Sequence, residues 1–459
     1  MIVHPGYKIN STCIHTLSNL NLPNNFNYSP VSKPFIITAV ILAFIGSSIG
    51  SLWMMSFFGI ALPQLFHNSF QLHKTLQIDG FLILLIMGIG YMIIPRFRNI
   101  PLASTNLAYL SFGLVLCSIT IYAILQVLPT TVSNNNLLKW SNLLRFTGIT
   151  IFAIIVFSAL RVRPKLLRLS DYFIALSIIT LIIINIVQSI GYEYNTNSLT
   201  YIQLWLLFPI LMIYGIEYKT LPSFLGFIRP RRIMGFASFG LVLVSIVSGL
   251  ISILLYEENN LFPIIFNTAF LSSALTFGGA VYITGGFDNS DEIRRLIQGE
   301  KKARYNFTAI HIKLSFLFLY IGITMALLFN LFHETFAFYD LAIHIIAVGF
   351  IGTTITLYLP LMLPPVIGRT IDFTNFNKIP LILIILSLSI RAIGDFAFTQ
   401  SSPYLAPTSS HLYQPIITIL LQQHFFGLSS WFIVAAMFIF VIMIHRSLGE
   451  SNVSKVSYR

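Results

Sequence analysis

The chain has 459 residues, of which 56% are hydrophobic and only 9% are charged, and its mean hydropathy is +0.82. Soluble domains carry about 25% charged residues, so the composition excludes an ordinary soluble domain. The net charge of +12 does not indicate a nucleic-acid partner, because no soluble segment of domain size is present to carry a basic surface.

Twelve apolar segments are long enough to cross a bilayer, which takes about 20 residues per helix. They occupy residues 35–61, 71–95, 104–128, 142–161, 171–191, 200–222, 233–255, 261–285, 309–329, 337–364, 379–398 and 413–444. We therefore predict an all-α membrane protein of about twelve transmembrane helices. The transmembrane domain is expected at 35–445, between an N-terminal segment, 1–34, and a C-terminal tail, 446–459.

The basic residues predict the orientation of the chain in the membrane. All but four of the 27 lysines and arginines fall on the side of the two termini. The four exceptions are Lys74, Lys139, Arg145 and Arg391. Because cytoplasmic loops are enriched in Lys and Arg, we expect an integral protein of the cell membrane, surrounded by the lipid bilayer, with both termini in the cytoplasm.

The second and tenth spans contain ionisable residues, which are rare inside a membrane and usually functional. In the second span His73 lies near the outer surface, Gln77 lies one turn deeper on the same face, and Asp79 lies on another face. In the tenth, Asp340 and His344 are four residues apart and so share a face. Since both spans run from outside to inside, the two histidines are predicted at similar depth, roughly 5–12 Å below the outer surface.

Two imidazoles at equal depth on different helices can bind one haem iron from opposite faces. Asp340 would then accept a hydrogen bond from a ligand or lie near a haem propionate. The spacing alone leaves two other interpretations open. The histidines can make hydrogen bonds between helices, or they can line a proton or substrate pathway.

Two further spans carry candidate residues. Arg391, the only arginine well inside a predicted span, lies four residues before Asp395 in the eleventh. It is expected to bind a haem propionate or to form an ion pair with Asp395. His424 lies near the middle of the last span, where it could bind a second haem or a copper ion, or donate a hydrogen bond to a neighbouring helix.

For three other ionisable residues the sequence gives less specific predictions. Asp79 is interpreted as a proton-relay group or a neutral buried acid. His311 is expected to be solvated or interfacial near the inner surface. Glu217, near the inner end of the sixth span, is expected to reach Lys219 or the interface.

Every fourth span from the second ends in a similar way, with a tyrosine followed by proline. The matching residues are Tyr91 and Pro95, Tyr218 and Pro222, and, at looser spacing, Tyr358, Pro360 and Pro364. This pattern predicts three repeated units of four helices.

With these residues the chain resembles the haem-copper oxidase subunit I superfamily, which has twelve helices in three four-helix arcs. That family holds a low-spin haem near the outer side with histidines of its second and tenth helices, and His73 and His344 match these positions. Arg391 resembles the family's basic residues at the haem propionates. The resemblance implies a haem cofactor, most simply of b type, bound by His73 and His344 with Arg391 and Asp340 beside it.

Within the superfamily, the local motifs are most similar to the NnrS branch of haem- and copper-containing membrane proteins. The late-helix match consists of His344, Gly349, Gly352, Thr353, Gly368 and Arg369, and the second-helix match of His73, Gly80, Phe81 and Pro95. The match is partial, because a Pro-rich stretch replaces the basic residue and second histidine that the branch has before Gly-Arg.

The departures from the oxidases concern copper. The usual copper centre needs three histidines in the sixth and seventh helices, and neither span here contains one. Ala342 also stands where the family has the first histidine of a His-x-His pair. The usual copper centre is therefore not expected, although copper elsewhere remains open.

The leading prediction is a haem-binding membrane protein, related to electron transfer or to a diatomic gas (NO or O₂), or serving as a subunit of a membrane redox complex. If it is an enzyme, it is expected to be a haem-dependent oxidoreductase component rather than a standard oxygen reductase. Two alternatives stay open. One is a twelve-span transporter or proton channel, and the other is a structural or assembly subunit without a cofactor.

Overall fold

The structure is a computed structural model. It describes residues 29–56, 69–127, 135–162, 168–189, 198–225, 230–255, 260–281, 300–332, 336–366, 374–397 and 416–448. Within these ranges the regular elements are all helices.

Twelve long helices follow one another along the described chain, and we number them α1 to α12. Ten are unbroken α-helices: α1 Ser29–Ser56, α3 Thr105–Val127, α4 Asn135–Arg161, α5 Leu169–Ser189, α6 Leu199–Leu225, α7 Arg232–Leu255, α8 Leu261–Ala280, α9 Glu300–Phe332, α11 Ile379–Ala397 and α12 Ile416–Leu448. The other two each contain a π-helical middle segment: α2 is Ser69–Thr75, Leu76–Ile83 and Leu84–Arg98, and α10 is Phe336–His344, Ile345–Gly352 and Thr353–Val366.

The prediction of about twelve membrane spans is confirmed, because twelve described helices are long and apolar enough to cross a bilayer. Large apolar side chains such as Ile233, Ile154 and Phe332 are 60–86% exposed on the outside of the bundle. Such a surface suits lipid, since the hydrocarbon solvates apolar side chains as well as a protein interior does.

Helices α2, α6 and α10 form the centre of the bundle. In their most apolar stretches 89%, 94% and 72% of the residues are buried, whereas no other spanning helix exceeds 67%. Helix α6 contacts both α2 and α10, and the remaining helices pack around these three. The central position of every fourth helix agrees with the predicted arrangement in three four-helix arcs.

The peripheral helix pairs α3–α4, α7–α8 and α11–α12 occupy equivalent places in the three arcs, and each pair is joined by serines. The contacts are Ser118 Oγ to Ser141 Oγ at 3.1 Å, Ser238 Oγ to Ser273 Oγ at 3.0 Å, and Ser387 Oγ to the carbonyl oxygen of Ser429 at 2.7 Å. Small residues allow close helix approach in membranes, and their hydroxyl groups bind across the interface. This recurrence gives the repeat a structural basis beyond the tyrosine and proline pattern.

The end of α2 opposite His73 is held by two polar contacts. Arg98 forms a buried ion pair with Asp171 of α5 at 2.9 Å. The ammonium group of Lys219 in α6 donates to the carbonyl oxygen of Phe97 at 3.0 Å. These contacts connect this end of α2 to α5 and to α6.

The close contact between α5 and α6 predicts a sensitive position at Gly215. A Cβ atom there would lie 2.6 Å from Ile174 Cγ1 and 2.8 Å from the backbone oxygen of Ser170. Gly215→Ala is therefore expected to lower the free energy of unfolding by about 1–3 kcal/mol, measured as a fall in the thermal unfolding midpoint of the purified protein. Gly240→Ala is the matched control, because nothing lies within 4 Å of that Cβ position. Equal midpoints for the two variants would contradict this packing.

Candidate functional site

The side chains of His73 and His344 each use one ring nitrogen to bind an oxygen atom. Nδ1 of His73 lies 2.8 Å from the carbonyl oxygen of Gly46 in α1. Nδ1 of His344 lies 2.9 Å from the carbonyl oxygen of Asp340 and 3.1 Å from its carboxylate. Because a carbonyl oxygen only accepts, Nδ1 is the protonated nitrogen in both rings, and Nε2 of the neutral ring carries the lone pair that binds a metal.

A glycine groove on α1 makes room for the His73 ring. Gly46 and Gly50 are four residues apart, and a Cβ atom at Gly50 would lie 2.5 Å from Nδ1 of His73. One turn deeper, the amide nitrogen of Gln77 donates to the carbonyl oxygen of Ala43 at 3.1 Å and to Ser47 Oγ at 2.9 Å. The sequence reasoning missed this groove, although its Gly-x-x-x-Gly spacing is a recognised signal for close helix approach.

Both histidines come shortly before a π-helical segment. His73 comes three residues before the segment Leu76–Ile83, and His344 comes directly before Ile345–Gly352. Single-turn π segments insert an extra residue per turn and occur frequently at functional sites. They change the direction in which the histidines point relative to the inner halves of α2 and α10.

Asp340 connects His344 to Arg391. The carboxylate of Asp340 accepts two hydrogen bonds from the guanidinium of Arg391, one from Nε and one from Nη2 at 2.7 Å, and both side chains are buried. Among the described residues Arg391 donates to Asp340 and not to Asp395, so the alternative ion pair between Arg391 and Asp395 is not formed. Arg391 therefore fixes the carboxylate that orients His344.

The structure brings His73 close to this group. His73 lies within electrostatic range of both His344 and Arg391. The rings of His73 and His344 are half-buried despite their position inside the bundle, and α2 and α10 do not pack extensively against each other in the described part of the chain.

His424, the third predicted ligand, falls in α12, in a stretch whose side chains lie outside the described residues. Among the residues that the structure describes, no group of three or more His, Cys, Asp or Glu side chains is placed to hold a metal ion.

A second polar cluster surrounds Arg145, which the sequence reasoning placed on the outer side. The expectation that Arg391 is the only arginine well inside a span is wrong. Arg145 is only 3% exposed and donates from Nη1 to Asp79 at 2.7 Å and from Nη2 to Gln188 at 2.6 Å. Helix α4 begins at Asn135 rather than near 142, so the residues before the apolar run, among them the exposed Lys139, belong to the same helix.

Two inner-side expectations are also wrong. His311 is not solvated but 1% exposed, and its Nε2 lies 3.0 Å from the carbonyl oxygen of Thr353 in α10. Glu217 is likewise 1% exposed and does not pair with Lys219, whose ammonium group binds the carbonyl oxygen of Phe97 instead. Both side chains point into the centre of the bundle, which a position near a span end does not reveal.

The interior between α6, α8 and α9 is filled with aromatic rings. Tyr214, Phe277 and Phe316 stack nearly parallel, with ring centroids 3.9 Å apart for the first two and 6.0 Å apart for the last two. Phe350 of α10 meets Phe316 edge to face at 5.3 Å, and all four rings are fully buried. We call Tyr214, Phe277 and Phe316 the aromatic stack.

Comparison with known proteins supports the fold. A family model described as a domain of unknown function, DUF8744, matches residues 179–409. A search of curated proteins found no match. A solved structure described as the cryo-EM structure of a heme-copper terminal oxidase dimer is similar with a TM-score of 0.66 and 12% sequence identity, over 91% of this chain and 84% of that chain. This similarity confirms the oxidase subunit I-like fold, while the resemblance to the NnrS branch stays a prediction.

The ion pair of Asp340 and Arg391 predicts strongly coupled mutations. Arg391→Met leaves the Asp340 carboxylate buried without its partner and is expected to cost about 3–5 kcal/mol in the free energy of unfolding. Adding Asp340→Asn removes the unpaired charge, so the double variant is expected to recover most of this loss. A double-mutant cycle on thermal or denaturant unfolding measures the coupling. Simple additivity of the two single changes would argue against the pair.

Proposed function

The chain belongs to the family described as a domain of unknown function, DUF8744, and we propose that it is a haem-binding membrane protein that transfers electrons. In this proposal His73 and His344 would hold one b-type haem, which would supply a one-electron couple for exchange with other subunits of a membrane redox complex.

One observation carries the proposal. The Nδ1–H group of each histidine donates a hydrogen bond to an oxygen of the protein, which leaves Nε2 available for another partner. Metal-binding histidines are oriented in this way, because the hydrogen bond fixes the tautomer and makes the ligand more basic. The similarity to an oxidase fold supports it, since the resemblance assigns a haem to the second and tenth helices.

The residues present fit a haem between α2 and α10. The glycine groove at Gly46 and Gly50 seats the His73 ring against α1. Ala347 and Val348 of α10, about one turn beyond His344, are half-buried like the two histidine rings. These apolar side chains suit the face of a porphyrin, which is itself apolar.

When bound, the haem supplies a one-electron iron couple whose potential depends on its axial ligands, their hydrogen bonds and burial. Asp340 accepts the hydrogen bond of the His344 Nδ1–H group, which would make Nε2 of His344 a stronger electron-pair donor to the iron. Arg391 holds Asp340 in place. Two of the three guanidinium nitrogens of Arg391 donate hydrogen bonds to Asp340, so the main role that we propose for Arg391 is to position Asp340. Only Nη1 is left for a haem propionate.

Ligation by both His73 and His344 would favour electron transfer over gas binding, because it would leave no open position for a gas. A related test uses carbon monoxide. Reduced wild-type protein is expected to show no spectral change on addition of carbon monoxide, whereas a wild-type response would redirect the proposal to a diatomic gas.

Haem binding itself is tested by spectroscopy of protein purified from its native membrane. A low-spin b-type band is expected in the reduced-minus-oxidised difference spectrum, and His73→Ala and His344→Ala are each expected to abolish it. The control is His311→Ala, which removes another buried histidine with no place in the proposed site. Absence of haem from the wild-type protein, or retention of the low-spin band in both ligand variants, would refute the proposal.

The role of Asp340 predicts a change in redox potential. Replacing Asp340 and Arg391 together by Asn and Met removes the carboxylate from His344 without changing the formal charge. The midpoint potential is expected to rise, because a less basic imidazole stabilises the oxidised iron less. A redox titration measures it, and replacing Asp171 and Arg98 together by Asn and Met is the control, since this removes a buried ion pair at the other end of α2 without changing the formal charge. An unchanged potential in the double variant would show that Asp340 does not act through His344.

A further inference from the structure

Cations from three neighbouring helices gather at the end of the bundle where α6 ends and α5 and α7 begin. Arg168 directly precedes α5, Lys219 lies near the end of α6, and Arg232 is the first residue of α7. The two arginines are exposed and the lysine is half-buried. We call these three residues the basic cluster. It lies beside the end of α2 that is opposite His73.

We propose that the basic cluster binds the headgroup of one anionic phospholipid, whose acyl chains lie along an exposed apolar face of α5 and α7. The proposal is independent of haem binding. It rests on the convergence of the cations, on their depth in the membrane and on the apolar side chains next to them.

Helix packing brings the basic cluster together. A Cβ atom at Gly235 of α7 would lie 2.4 Å from Cδ2 of Leu169 in α5 and 3.1 Å from Cε2 of Tyr218 in α6, so the three helices touch at this point. Each member of the cluster is one to three residues along the chain from one of these contacts. Lys219 is also within electrostatic range of Arg168. The three cations can therefore approach one phosphate group.

Negative charge at this place is limited. Among the described residues, Asp171 is the one acid within electrostatic range of Lys219. Its carboxylate already pairs with Arg98 at 2.9 Å and accepts from the backbone N–H of Arg168 at 2.7 Å. A single carboxylate leaves the basic cluster with excess positive charge, which a phosphate group would balance.

Lys219 is held in place without losing its capacity to bind an anion. Its ammonium group donates to the carbonyl oxygen of Phe97 at 3.0 Å and lies 3.9 Å from the centre of the Phe97 ring. An ammonium group has three N–H donors, so it can donate to a phosphate oxygen as well.

The depth of the basic cluster is that of lipid headgroups. The apolar spans of these helices are Leu169–Ser189, Leu199–Leu221 and Arg232–Leu255, so each cation lies at the end of a span or within two residues of it. Lysine and arginine side chains at span ends reach the interface, where they attract anionic lipids. We expect this end to face the cytoplasm, whose leaflet is rich in such lipids.

The apolar side chains next to the cluster favour a lipid over a free phosphate. Tyr172 of α5 and Ile233 and Phe236 of α7 are 44%, 86% and 54% exposed. The rings of Tyr172 and Phe239 lie 6.2 Å apart, so the two helices form one continuous face. An acyl chain that leaves a headgroup at the basic cluster can lie along this face, whereas a free phosphate would not use it.

Native mass spectrometry of the full chain, delipidated in detergent, tests the proposal. Phosphatidylglycerol and phosphatidylcholine with the same acyl chains are titrated in parallel. The wild-type protein is expected to bind one phosphatidylglycerol roughly thirtyfold more tightly than phosphatidylcholine, and a higher salt concentration is expected to reduce this preference. Equal affinity for the two lipids, or a preference that salt does not change, would overturn the proposal.

Variants assign the preference to the basic cluster. Arg168→Gln combined with Arg232→Gln is expected to weaken phosphatidylglycerol binding roughly thirtyfold, the loss expected for two cations near a lipid surface. Lys33→Gln combined with Lys302→Gln is the matched control, because it removes two exposed cations at the span ends of α1 and α9. Wild-type affinity in the cluster variant, or equal weakening in the control, would refute the site.

A soluble phosphate ester distinguishes a lipid site from a site for free phosphate. Glycerol 3-phosphate carries the phosphate group without acyl chains, so it is expected not to displace phosphatidylglycerol at equal concentration. Displacement at equal concentration would show that the acyl chains contribute nothing and would overturn the assignment to a lipid.

Discussion

A polar side chain inside the hydrocarbon has no water to bind, so its partner must come from a neighbouring helix. The arrangement of this bundle follows from that requirement. Serine contacts join the peripheral pairs α3–α4, α7–α8 and α11–α12, and ionisable side chains gather on the central helices and the faces that meet them. The positions of His73 and Arg145 are consequences of the same rule, because each reaches a partner on another helix.

Hydropathy was sufficient to predict the number of helices, since a span depends on a local run of apolar residues. The similar depth of His73 and His344 follows from counting residues along helices of known direction, and their joint role as haem ligands stays a prediction. The partner of Arg145 was not predictable from the sequence, because the choice among Asp79, other acids and solvent depends on which helix faces pack together. The same limit applies to Glu217 and His311, whose burial is decided by neighbouring helices rather than by distance from a span end.

The two polar regions and the aromatic stack divide the interior by chemistry. The region around His73 and His344 contains half-buried imidazole rings, whereas Tyr214, Phe277 and Phe316 fill the region between α6, α8 and α9. Stacked rings provide dense, rigid packing. The three arcs of this fold thus carry different kinds of side chain. The function of the chain has to be argued from those side chains rather than from the fold that it shares with an oxidase.

The π-helical segments of α2 and α10 affect how this chain can be compared with others. Each segment contains one residue more than regular α-helical turns would need, which corresponds to a rotation of about 100° between the residues before and after it. A relative with a regular helix at the same place would align only with a gap of one residue. A motif of fixed spacing drawn from His344 across Ile345–Gly352 would then pair residues that point in different directions. Alignments of such relatives are therefore better anchored separately on each side of the two segments.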